Sequence, residues 1–271
     1  MNNSERILYL ECGTGISGDM TVAALLDLGA DPDKLLRVLD GIPGHGFEAR
    51  ISRVKKAGID CCDFDVVLDE EHDGHDHDME YLYGHLEEGR HGDDHDHHHD
   101  HDHDHDHHHD HEHHHDHHHD HGHHHHHTGM KEIREIIGGL DMTDGARALA
   151  LRIFEILAQA ESEAHGVPVD EVHFHEVGAI DSIVDIVAAA VCFDDLGITK
   201  VAVTGITEGS GTVRCQHGIL QVPVPAVAGI ARAHRLPIRC TNRKGELVTP
   251  TGAAIAAALM TQDTLPETFV I

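Results

Sequence analysis

Two histidines, a glutamate and two aspartates fall within one short stretch, Val172-His173-Phe174-His175-Glu176-Val177-Gly178-Ala179-Ile180-Asp181-Ser182-Ile183-Val184-Asp185. Alternate residues of an extended chain point to the same side, so His173 and His175 project together. Two imidazoles on one side suit one metal ion, with Glu176 as a further oxygen donor. The same residues are also compatible with ordinary hydrogen-bonded loop histidines. Asp181 and Asp185 lie one turn apart if the apolar run after them is a helix. Asp185 is set among Ile183, Val184, Ile186 and Val187. There it either turns to solvent and pairs locally, or is buried, which is costly unless it is paired or bound to something.

Other segments carry groups that bind anions or metals. Glu11-Cys12-Gly13-Thr14-Gly15-Ile16-Ser17-Gly18-Asp19-Met20 is a glycine-rich turn between a short apolar run and an Ala/Leu-rich one. It matches neither the dinucleotide fingerprint nor a P-loop, since no Gly-Lys-Ser/Thr follows. A tight structural turn and an anion- or substrate-binding loop both fit it, the latter because a helix N-terminus attracts negative charge. Leu247-Val248-Thr249-Pro250-Thr251-Gly252 likewise leads into an alanine-rich helix whose first amides suit a phosphate. From about Asp69 to Gly129 the chain carries 28 of its 34 histidines, mostly alternating with aspartate. Almost nothing in this insert can be buried, so disorder is expected. Imidazoles and carboxylates bind nickel, zinc, copper and cobalt in the usual affinity order, which fits a metal store or delivery arm; a solvated low-complexity expansion without function is the alternative.

The elements that must position these groups follow from periodicity and punctuation. Ile7–Leu10 reads as a buried strand, followed by the glycine turn and a helix closing on Gly29. Asp31-Pro32 opens a second helix ending near Gly41. Phe47–Val54 and Cys61–Leu68 read as a hairpin joined through Lys55-Lys56-Ala57-Gly58. After the insert, helices are expected at Met130–Ile137, from Thr143 or Asp144 to His165, and from an Asp181 or Ser182 cap to Leu196. Val201–Thr204 reads as a strand, Gly209–Thr212 and Gln216–Gly218 as loops, and Pro223 and Pro225 precede a helix to His234. Ile238–Cys240 and a helix over Ala253–Met260 complete the pattern. It predicts an α/β or α+β fold, a mixed sheet with flanking helices, with residues 1–68 and 130–271 forming one core domain around an insert at 69–129.

Composition narrows the function classes. The formal charge is −30, and 20 acids against one arginine between Asp69 and His127 supply most of it. No basic face is left for a nucleic acid. No apolar run reaches the roughly 18–20 residues of a membrane span, and the N-terminus shows no signal peptide. Six cysteines fit no zinc ribbon, redox motif or disulfide framework, which predicts free thiols in a reducing cytoplasm.

Five blocks in order, Gly15–Met20, Glu171–Ile183, Gly209–Val213, His217-Gly218 with Pro223-Val224-Pro225, and Glu246–Ala253, resemble the LarC family of nickel pincer cofactor biosynthesis proteins. The resemblance spans nearly the whole chain apart from the insert, and His-Phe-His-Glu-Val-Gly is its most specific part. It departs at Glu11, where an aspartate is expected. The resemblance implies a lyase-type nickel insertase, or chelatase, that acts on pyridinium-3,5-bisthiocarboxylic acid mononucleotide and makes the nickel-pincer nucleotide of lactate racemase. Two Ni–S bonds and one Ni–C bond form, coupled to CTP hydrolysis with Mg²⁺ or Mn²⁺. On this reading His173, His175 and Glu176 hold Ni²⁺. Asp181, Asp185 and Asp19 are the catalytic candidates, and Ser17, Gly18, His217, Thr249, Thr251 and Gly252 the substrate contacts. Relatives continue into a C-terminal nucleotide-binding domain, whereas this chain stops at Ile271, which fits either one half of a split gene, with a separately encoded C-terminal half as partner, or a product that ends early; lactate racemase pathway proteins are the other partners that the resemblance implies. The rival reading is a non-enzymatic nickel store or delivery protein; a nickel GTPase chaperone conflicts with the missing P-loop.

Overall fold

A computed structural model describes residues 6–44, 46–68, 129–172, 180–215 and 217–269. The expected insert, apart from Gly129, lies outside the described residues, as do His173, His175 and Glu176. Among the described residues the chain forms seven α-helices and eight short strands, the mixed α/β composition that the pattern predicts.

Strand β1 (Ile7–Tyr9) pairs in parallel with β4 (Lys200–Ala202), in the register Ile7–Lys200 to Tyr9–Ala202. β5 (Ile206–Ser210) runs parallel to β8 (Ile238–Lys244). The two pairs are linked by the segment after β1: Leu10 N–H donates to the Ala202 carbonyl at 3.0 Å, and Thr207 N–H to the Cys12 carbonyl at 2.9 Å. β2 (Phe47–Lys56) and β3 (Ile59–Leu68) form an antiparallel hairpin. Its strands reach two residues closer than the pattern predicts, because Ala57 and Gly58 alone make the turn, with φ of 51° and 82°. Both values are left-handed, which matches the twist of a hairpin. β6 (Thr212–Cys215) and β7 (Gly218–Gln221) form a second hairpin.

Helix α1 (Gly18–Asp27) buries Thr21, Val22 and Leu25. In α2 (Pro32–Leu39) the Asp31 carboxylate accepts from the Asp33 and Lys34 amides at 2.9 and 3.3 Å, and Pro32 takes the first helical position. α3 (Met130–Gly139) leads to α4 (Asp144–His165), which is capped by Thr143 and closed by Gly166 at φ 68°. α5 (Ile180–Asp195) is buried from Ser182 to Cys192, α6 (Pro225–His234) buries Ala226, Val227 and Ile230, and α7 (Pro250–Leu259) is buried from Thr251 to Leu259. Helices apolar on every side belong inside a protein. Accordingly α5 and α7 both pack on α4, while α1 packs on α5 and α6 bridges α4 and α7.

Three expectations need correction. Gly209–Thr212 is not a loop: β5 runs to Ser210 and β6 starts at Thr212, leaving only Gly211, at φ 94°, to turn. Ser210 is held in strand form by accepting from the Gly245 amide at 3.1 Å. Asp181 and Ser182 are not caps, because the helix already includes Ile180, so Asp181 sits in its first turn. The last helix starts at Pro250 rather than Ala253, because Thr249 caps it and Pro250 fits the first position.

Candidate functional site

The three aspartates of the sequence reading come together where α5 meets the start of α1. Asp185, in the second turn of α5, is only 6% exposed. Its partner surface is Gly18: a Cβ there would stand 2.2 Å from Asp185 Oδ2, so no other residue leaves room for the carboxyl. The Asp185 carboxylate accepts the backbone N–H of Asp19, which places it at the positive end of the α1 dipole. Its Oδ1 has no hydrogen-bond partner. Burial raises the Asp185 pKa well above the ordinary carboxylate value, the charges of Asp181 and Asp19 raise it further, and the Asp19 amide opposes them. A carboxylate tuned this way is a stronger base than an exposed one.

The glycine turn is clamped to the segment before α7. Ile16 N–H donates to the Leu247 carbonyl at 2.9 Å, and Thr249 N–H donates back to the Ile16 carbonyl at 3.1 Å. A Cβ on Gly252 would lie 2.3 Å from the Ile16 oxygen, so backbone contact demands glycine there. The N-termini of α1 and α7 therefore stand side by side. Ser17 donates to Asp19 Oδ1, and Thr249 Oγ1 accepts from the Gly252 amide at 3.1 Å. Thr251 is buried beside them. Thus Ser17, Gly18, Asp19, Asp181, Asp185, Thr249, Thr251 and Gly252 gather at one junction. Cys12, on the same turn, is not a ready soft ligand, because burial pushes its thiol up to about 11 and keeps it protonated at neutral pH.

His217 is not part of that junction. It sits between β6 and β7 and lines a cavity of about 250 Å³ with His165 at the end of α4. The two ring centroids are 4.9 Å apart. Cys215, Glu161 and Glu246 line the same cavity, and Pro250 connects it to the start of α7. Val213 and Leu220 supply part of its apolar wall. Among the described residues, no three histidine, cysteine or acidic side chains stand close enough to share one ion.

The residue-by-residue reading missed Glu208 and His165. Glu208 is fully buried in β5; its Oε1 accepts from the Gly209 and Leu247 amides at 2.6 and 2.8 Å, and its Oε2 has no partner. An acid inside Ile206-Thr207-Glu208-Gly209 was the available signal. For His165 it was the i, i+4 spacing from Glu161, whose Oε2 lies 3.4 Å from His165 Nε2.

Comparison with known proteins bears out the family resemblance. The sequence profile of the family described as nickel insertion protein matches residues 8–271. A pyridinium-3,5-bisthiocarboxylic acid mononucleotide nickel insertion protein of Alkaliphilus metalliredigens is 50% identical over 265 residues, which is 97% of this chain and 54% of the relative. The protein of that name from Clostridium acetobutylicum is 45% identical, over 98% of this chain and 58% of its own length. A putative nickel insertion protein of a Geobacter species is 36% identical, over 94% and 52% respectively. The chain spans about half the length of the curated relatives it matches. No solved structure matches it.

Proposed function

The chain belongs to the nickel insertion protein family, and from that membership we propose that it takes part in inserting Ni²⁺ into pyridinium-3,5-bisthiocarboxylic acid mononucleotide. The observation that carries this reading furthest is Asp185, a buried carboxylate with one unpartnered oxygen and a raised pKa, set at the junction of two helix N-termini. Metallation of the ring exchanges a C–H bond for a Ni–C bond, so a proton must leave while two thiocarboxylate sulfurs bind the metal. Asp185 takes that proton, and Asp19 and Asp181 keep its basicity high by their charge. The α1 N-terminus already faces the Asp185 carboxylate, so the substrate phosphate falls to the first turn of α7, around Thr249 and Thr251. Gly18 and Gly252 serve by allowing close packing of this junction. His173, His175 and Glu176 remain the proposed nickel ligands before insertion.

Residues 1–68 and 130–271 act as one domain in this reading, and CTP with Mg²⁺ or Mn²⁺ is bound by a C-terminal half in the cytoplasm. No helix among the described residues is long and apolar enough to cross a membrane. Nickel insertion by the full chain, with substrate, Ni²⁺, CTP and any C-terminal half supplied, tests the assignment. Asp185→Asn is expected to slow insertion by about 10²–10⁴-fold, the usual contribution of a positioned base, with nucleotide binding kept. An unchanged rate removes Asp185 as the base. The histidine-rich insert also fits a storage or delivery protein; nickel binding without any binding of the nucleotide selects that reading.

A further inference from the structure

We infer that the cavity at the C-terminal end of α4 is a second, open metal site in which His165 and His217 ligate a borderline divalent ion such as Ni²⁺. Two imidazoles bound to one ion through nitrogens at about 2.0–2.1 Å set their ring centroids about 4.5–5.2 Å apart at square to tetrahedral angles. The observed separation is 4.9 Å, with the rings tilted by 47° rather than stacked. Glu161 Oε2 stands 3.4 Å from His165 Nε2. A ligating histidine usually gives its other ring nitrogen to a carboxylate, which fixes the ring and strengthens the donor. That leaves Nδ1 of His165 for the metal.

The surroundings favour a cation twice over. Glu161 and Glu246 bring carboxylates to the cavity wall. His165 also ends a 22-residue helix, where the dipole is negative.

Two imidazoles fill only part of such an ion's coordination shell, so a site built on this pair keeps positions for water or an incoming ligand. Closed four-ligand sites retain their metal, whereas open sites exchange ligands. A site that must give up its ion to sulfur donors needs the open kind. The cavity reaches Pro250 at the start of α7, so an ion held there lies beside the proposed substrate junction. This last step rests on the nickel-insertion reading; metal binding at the two histidines does not.

The insert histidines would mask one site, so the test uses the full-length chain with the 28 histidines from His72 to His127 replaced by glutamine. Calorimetric titration with Ni²⁺ is expected to show a site that His165→Ala and His217→Ala each weaken at least about 100-fold. Glu161→Gln is expected to weaken it about 10-fold, as removal of a ligand's outer partner does. His173→Ala should leave this site intact. Parent-like binding in both His165→Ala and His217→Ala overturns the proposal. Anomalous diffraction at the nickel edge, from crystals of the unaltered chain soaked in Ni²⁺, gives an independent reading: a peak between the two rings supports the site and its absence overturns it. Binding at His165 and His217 without nickel insertion would sink the functional reading and leave the metal site standing.

Discussion

Asp185 ties stability to pH in a direction opposite to a salt-bridged acid. Its folded pKa is raised, so between the unfolded value, about 3.9, and the folded value the native state binds more protons than the unfolded one. Stability contributed by this group is therefore fully present at low pH and falls as pH rises through the folded pKa. Asp185→Asn keeps the shape and cannot ionise, so its thermal midpoint is expected to depend less on pH than that of the parent as pH rises above the ordinary carboxylate value. Melting curves over a range of pH check it, and an unchanged pH dependence would show that Asp185 does not titrate with folding. Glu208→Ala strands the buried N–H of Gly209 and the part-buried N–H of Leu247, and is expected to cost about 1–3 kcal/mol in chemical denaturation. Glu208→Gln retains the accepting oxygen and should lose much less.

At the scale of elements, the site depends on two helix starts being clamped together. Thr249→Ala removes the cap of α7 and is expected to cost about 1 kcal/mol. Gly252→Ala pushes a methyl against the Ile16 carbonyl, where backbone has little freedom to yield, and should cost about 1–3 kcal/mol or more. The two variants separate capping from close approach: urea unfolding should rank Gly252→Ala as the more damaging, and an equal or reversed order would mean that the glycine turn shifts readily. In the core, Phe154 of α4 is fully buried where the helices meet, so Phe154→Ala should cost about 3–5 kcal/mol.

For the molecule as a whole, the proposed function puts chemistry and metal supply on different parts of the chain. The proposed proton acceptor and phosphate site sit at the α1–α5–α7 junction, whereas most of the chain's histidines lie between His72 and His127. Replacing those 28 histidines with glutamine is expected to leave the insertion rate at saturating Ni²⁺ within about twofold and to weaken insertion only when nickel is scarce, since such a segment supplies metal by mass action rather than geometry. Insertion assays over a range of Ni²⁺ concentrations check it; loss at saturating metal would place the insert in the reaction itself.

Much of this was legible without coordinates. The helices of α1, α2, α4 and α6, the β2–β3 hairpin and β1 followed from caps, prolines, glycines and alternation, because those signals act over a few neighbouring residues. The ligand-rich types at Asp19, Asp185, His217 and Thr249 were visible for the same reason. Other features depended on contacts between distant segments. Gly18 fits Asp185 across 167 positions and Gly252 fits Ile16 across 236, so their need for glycine arises only when the chain closes on itself. The burial of Asp185, left open by a pattern compatible with either face, was decided by α1 packing on α5. Glu208 joined the site through the Leu247 amide, and His165 met His217 only because α4 ends where β6 turns into β7. The sequence alone determined which chemical groups the chain carries and which short elements bear them; tertiary structure decided which groups share a junction, since burial and raised basicity come from neighbours that local sequence does not specify.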